Sequence, residues 1–183
     1  MLLADTFNAN FEREKIDAAI AVLVAAGYRV HCPAPVDGNN RPLCCGRTFL
    51  SAGLVDEAKA EIARSLAALA PFAERGVPIV GLEPSCLLTF RDEATVMRLG
   101  APAEKVAQRA RLFEEFIADE RAAGRFDIAL QPVAAKALLH GHCHQKSFGA
   151  MGAVEQALRL VPGLEVATVE SDRKSTRLNS SHI

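Results

Sequence analysis

A chain of 183 residues, half of them apolar, has enough hydrophobic side chain for a core and lacks the composition of a disordered segment. Its formal charge of −1, with acids and bases well mixed, excludes a polyanion or nucleic-acid surface. No apolar run reaches the roughly 18 to 20 residues of a membrane helix and no secretory signal is visible, so the expected location is the cytoplasm, peripheral at the inner face of a membrane at most.

The opening "MLLADTF" reads as a short buried strand, cut close to its start as though interior to a longer chain. From Asn8 to Gly27 apolar residues recur at helical spacing (Ile16, Ala19, Ile20, Leu23, Val24), and Gly27 is a natural stop. "YRVHC" is then a second strand, giving a β-α-β start that favours a parallel sheet with a right-handed crossover. "PAPVDGNNRPLCCG" reads as a loop, Leu50 to Ala73 as helix broken near Gly53, and "VPIVGL" as a third strand with "EPSC" at its C-terminal end. One long amphipathic helix is predicted from about Ala103 to Ala123 on the stripe Val106, Ala110, Phe113 and Ile117. "KALLHGHCH" is a strand running into a turn, "SFGAMGAVEQALRLV" a helix and "LEVATVE" a final strand. Strands alternating with helices give an α/β class.

Five cysteines stand at 32, 44, 45, 86 and 143. In a reducing compartment, cysteines outside disulfides are ligands, catalytic groups or packing residues. Cys45, Cys86 and Cys143 each fall in a loop or just past a predicted strand, and ligands in open α/β sheets gather at the C-terminal strand ends. Gly46 gives the adjacent pair Cys44–Cys45 the turn it needs to face one centre, with Pro42 stiffening the approach. In "EPSC", Cys86 opens a helix whose N-terminus favours a thiolate. "HGHCH" packs three histidines and a cysteine into five residues. The spacings match neither a zinc ribbon, a ferredoxin run nor a thioredoxin motif, so three readings stay open: a shared metal or cluster site, structural thiols, or thiol catalysis. Cys32 is expected as a buried strand-end thiol, His31 at the surface, Arg47 and Lys146 as solvated charges, and Ser85 as a helix cap.

Taken together, "PLCCGRTFLSAGLVDEAK", "GLEPSCLLTFRDE" and "LLHGHCHQKS" resemble the cysteine-rich CCG domain. That domain occurs in the heterodisulfide reductase B subunit, the glycolate oxidase iron–sulfur subunit and fused FAD-linked dehydrogenases of the D-lactate and D-2-hydroxyglutarate type. The third motif is most similar to the C-terminal part of the fused proteins. The resemblance covers residues 1 to about 171. It implies a Rossmann-like parallel sheet in two pseudo-repeated halves, the second truncated, and an iron–sulfur electron-transfer role. In that picture a 4Fe-4S type cluster, incomplete in this chain, is ligated by Cys44, Cys45, Cys86 and Cys143. His142, His144 and Gly46 are surrounding groups or additional ligands, and no residue is catalytic. FAD would bind elsewhere in the parent, on a dehydrogenase segment accompanied by a ferredoxin-like one, and electrons would pass to a quinone or protein acceptor. The chain alone is expected to be inactive.

Three departures limit the ligand set. Asp5-Thr6-Phe7 stands where many relatives carry a cysteine, Thr89 replaces the second cysteine of a C-x-x-C element, and the second CCG would fall where "DRKSTRLNSSHI" begins. Residues 172–183 resemble the conceptual translation of a sequencing-adapter oligonucleotide and are expected to lie outside the fold. The alternative is a zinc-binding or metal-free docking module of a multi-subunit oxidoreductase.

Overall fold

The computed structural model describes residues 1–169 and divides the chain into two compact units, Met1–Phe116 and Ile117–Ile183. The adapter-like tail lies outside the described residues. Both units are mixed α/β with small parallel sheets.

The first unit begins with β1 (Leu2–Leu3), α1 (Thr6–Phe11) and α2 (Arg13–Ala25). The strand is shorter than "MLLADTF" predicts because Asp5 caps α1 at once: its Oδ1 accepts from the Phe7 and Asn8 backbone N–H groups, each at 3.0 Å. The single helix expected from Asn8 to Gly27 is two, parted at Glu12 where φ is −140°. Ile16, Ala19 and Leu23 are buried as the stripe predicts, Ile20 is partly buried, and Val24 is exposed. No strand forms over residues 28–32. One backbone bond, from Leu2 N–H to His31 C=O at 2.9 Å, lays this segment beside β1. Pro33 and Pro35, which have no N–H, deny it a continued ladder.

After the loop come α3 (Arg47–Ser51) and α4 (Val55–Glu74), parted at Gly53 as predicted, then β2 (Ile79–Gly81) and α5 (Pro84–Arg91). Next are α6 (Glu93–Val96), α7 (Ala101–Arg109), β3 (Ala110–Leu112) and α8 (Phe113–Ala122). The long helix predicted from Ala103 to Ala123 is therefore interrupted. Ala110 to Leu112 turn extended and pair in parallel with β2 (Ile79↔Ala110, Gly81↔Leu112), which has β1 on its other side. Buried Ala110 and Leu112 flank Arg111, a spacing of two that over three residues cannot be told from a helical stripe. Leu2, Val80, Ile16, Ala19, Leu23 and Phe116 form one core cluster, with Tyr28 edge-on to Phe116 at 5.3 Å between ring centres. Elsewhere α4 packs on α7, and α5 on β2 and β3. Ile62, Leu69, Leu87 and Val106 have no exposed surface, and each such burial stabilises by about 1.5–3 kcal/mol.

In the second unit β4 (Ala135–Leu139) pairs in parallel with β5 (Leu164–Thr168), Ala135 opposite Leu164 and Leu139 opposite Thr168. Between them lie α9 (Cys143–Ser147) and α10 (Met151–Leu158), α10 packing on β5. Here the predicted strands and helix appear in order, but the expected ligand-rich turn is the short helix α9, and α10 starts at Met151, four residues after the Ser147 expected.

Candidate functional site

In the first unit the parallel sheet points the C-terminal ends of β1 and β2 the same way, and three cysteines meet there. Cys86 sits in the first turn of α5, just past β2, and is buried. Pro84 supplies a pre-set first helical residue, and the Glu83 side chain accepts from Ser85 N–H at 3.0 Å. Glu83, not Ser85, is therefore the cap. Cys45 is buried and its thiol touches those of Cys44 and Cys86; Cys44 is half-buried and also meets the Thr6 hydroxyl at the start of α1.

The loop owes its shape to Gly46, whose φ of +74° lies in the left-handed region. A Cβ there would stand 2.6 Å from the Ala58 carbonyl oxygen, so loop and α4 approach backbone to backbone. The turn aims backbone N–H groups at sulfur: Gly46 N–H donates to Cys44 Sγ at 3.4 Å, and Arg47 N–H to Cys45 Sγ. Arg47 itself is ion-paired with Glu93. Along α4, Ser65 Oγ donates to the Cys44 carbonyl at 2.7 Å, and Arg64 donates to the Pro42 carbonyl at 2.8 Å and to Asp37 Oδ2 at 2.6 Å. Arg41 reaches back to Glu61 Oε1 at 2.5 Å.

Crowding of the thiols disfavours ionisation. Contact with the Cys45 thiol, then burial, holds Cys44 well above the ordinary thiol range, against the Gly46 N–H and the Thr6 hydroxyl. For Cys45, contact with Cys44 favours the thiolate, but Cys86 and burial outweigh it and push the group up to about 12. Among the described residues no group of three or more His, Cys, Asp or Glu side chains is arranged to hold a metal ion. The sulfur contacts run as a chain, 44 to 45 to 86. The donor chemistry nevertheless fits a thiolate-held group: three soft ligands with N–H donors beside them, of which metal charge would stabilise the ionised form.

Cys143 belongs to the second unit, exposed in the first turn of α9. Its neighbour His142 caps that helix: Nδ1 accepts from His144 N–H at 3.2 Å, while His142 N–H donates to Gln145 Oε1 at 3.1 Å. The His142 and His144 rings lie 5.1 Å apart; His140 is exposed. Gly141 lies against the end of the Met151 side chain, which a Cβ there, 2.0 Å from Sδ, would displace. Cys32, expected to be buried, is exposed, because residues 28–32 form no covered strand. Beside it His31 stacks on Phe72 at 5.0 Å between ring centres. Sequence reasoning did not find Thr6, Ser65 or Arg64, whose links to the cysteine-bearing loop span 20 or more residues and leave no local pattern.

No family model and no solved structure matches the chain. It is 22% identical over 129 residues to the C subunit of the anaerobic glycerol-3-phosphate dehydrogenase of Escherichia coli K12, covering 70% of this chain and 32% of that one. The counterpart in Escherichia coli O157:H7 matches equally. It is also 38% identical over 93 residues to the D-2-hydroxyglutarate dehydrogenase of Pseudomonas putida, covering 51% of this chain and 8% of that one. The chain is thus similar to polypeptides of two dehydrogenases, and spans about a third of the length of the first and under a tenth of the second.

Proposed function

We propose that the chain is the iron–sulfur electron-transfer part of an FAD-linked 2-hydroxyacid dehydrogenase, cytoplasmic or peripheral at the membrane. The observation that carries the proposal is the meeting of Cys44, Cys45 and Cys86 at the sheet's C-terminal edge, with backbone N–H groups directed at two of the sulfurs. Similarity to two dehydrogenases supports an oxidoreductase context. Cys44, Cys45 and Cys86 would hold the cluster in the first unit, and Cys143 is proposed as the metal-ligating thiol that the second unit carries. The two parallel-sheet units are read as the pseudo-repeated, Rossmann-like halves of the CCG domain. When bound, an iron–sulfur cluster supplies one-electron carriage between flavin and a quinone or protein acceptor. The chain's own residues then act by position. Gly46 and Arg47 N–H groups bond the sulfurs and raise the potential, and burial of Cys45 and Cys86 keeps water from them. The FAD-binding and ferredoxin-like segments belong to the same or a partner chain.

Anaerobic reconstitution of the full chain with ferrous iron and sulfide tests this, read by visible absorption, EPR after reduction, and iron and zinc analysis. The expected result is a broad visible chromophore that Cys44→Ser and Cys45→Ser each abolish. A colourless chain holding one zinc would establish the zinc-binding form of the alternative, and a chain taking up neither metal would overturn the cluster proposal and leave the metal-free docking module.

A further inference from the structure

We infer that Ser65, on α4, is a positioning residue for the Cys44–Cys45 pair; this deepens the cluster proposal and rests on it. Ser65 has no exposed surface, and its hydroxyl spends its proton on the Cys44 carbonyl at 2.7 Å, across 21 residues of sequence. A buried serine mid-helix would ordinarily bond back within its own helix; this one bonds the loop instead. The bond fixes the peptide plane between Cys44 and Cys45, and with it the direction in which each Cβ leaves the backbone. Toward its N-terminus the same helix holds the loop again, at Arg64, Glu61 and Ala58. Arg64 takes the Arg41 and Pro42 carbonyls, Glu61 takes the Arg41 guanidinium, and Ala58 abuts Gly46. On the loop's other side Thr6 Oγ1 donates to the Leu43 carbonyl at 3.4 Å. Of these contacts only that of Ser65 reaches a cysteine's own carbonyl, so it governs where the two sulfurs point more directly than the ion pairs around it.

The test compares Ser65→Ala with Ile62→Val, a change at an equally buried position of α4 for which no loop contact is made through a polar group. In the metal-free full chain, iodoacetamide labelling is followed at each cysteine by peptide mass mapping. Cys44 in S65A should label about fivefold faster, the factor that losing one ordinary hydrogen bond corresponds to. Cys32 should keep its rate, and I62V should keep all rates within about twofold after correction for its stability. In the reconstituted chain S65A should also change the EPR signature or lower the iron bound per chain, while I62V should not. If S65A folds poorly, Ser65→Thr, which keeps the hydroxyl, should restore the wild-type Cys44 rate. Equal Cys44 rates in S65A and wild type, or equal shifts in S65A and I62V, overturn the inference. Failure of the wild-type chain to bind any metal would instead sink the cluster proposal and leave the labelling comparison intact.

Discussion

Gly46→Ala separates two costs that a left-handed glycine carries. A Cβ at φ +74° costs about 1–2 kcal/mol through its own backbone clash. It would also stand 2.6 Å from the Ala58 carbonyl oxygen and 3.1 Å from Ala58 Cα, neither of which can rotate away, so loop and α4 must part. Forcing packed elements apart typically costs about 1–3 kcal/mol more, for a total of about 2–5. Gly53→Ala is the control: its φ is +77° and nothing lies within 4 Å of the added Cβ, so it carries only the first cost. The chain has one tyrosine and no tryptophan, and Tyr28 sits against Phe116 in the first unit, so tyrosine fluorescence during urea unfolding reports that unit. At a slope of about 2 kcal/mol per molar, G46A should unfold roughly 0.5–1.5 M urea below G53A. Equal midpoints for the two variants would refute the close approach of loop and helix, and with it the account of why the cysteine turn holds its shape.

Two further outcomes are expected. In the native metal-free chain at pH 8, Cys32 and Cys143 should react with a thiol reagent first and Cys44 more slowly, while Cys45, buried and pushed up to about 12, and buried Cys86 should wait for unfolding; mass mapping of the labelled peptides checks the order. Burial pushes the half-buried Glu114 carboxyl up, its own backbone N–H opposing and Glu115 adding to the rise. The native state therefore holds that proton more tightly than the unfolded chain, and the stability it brings is full below the unfolded value of 4.5 and lost as pH climbs through the native one. Glu114→Gln should accordingly gain on wild type between pH 4 and pH 7, read as the difference in urea midpoint at each pH.

What the sequence could disclose followed from how local each feature is. The start of α5, expected at Cys86, comes two residues earlier at Pro84; the break at Gly53 and the stop at Gly27 are decided within a few residues and appear where the pattern puts them. So is the left-handed turn at Gly46, which the adjacent cysteines demand if both are to approach one place. The interruption at Ala110–Leu112 is decided elsewhere: the open edge of β2 needs a partner for its N–H and C=O groups, and satisfying them outweighs three residues of helical propensity. Cys32 went the other way, since its cover depended on a strand that the prolines following it prevent from laddering. Within the site, the cysteine positions at the strand ends could be read from the order of elements. The hydroxyls that meet Cys44 could not, because Thr6 and Ser65 are placed by the packing of α1 and α4 and by nothing adjacent to the motif.

The two cysteine regions differ in how the chain itself holds them. Cys44 and Cys45 stand on a loop bonded to α4 through Arg41, Arg64 and Ser65 and pressed on Ala58, and Cys86 is fixed in a capped helix turn. Those bonds use backbone carbonyls and side chains other than the sulfurs, so they exist without a metal. In small metal-dependent domains the ordering cost of the ligands is met by metal binding, and removing the metal unfolds them. Here that ordering is met by α4 and by the core of Leu2, Val80 and Phe116 beneath the sheet. The first unit should therefore fold metal-free, with its thiols gathered and protonated, and ligand uptake should change their charge more than their place. Cys143 stands differently: it is exposed on a five-residue helix capped by His142 and anchored by buried Gln145, so its thiol needs no opening of the unit to be reached.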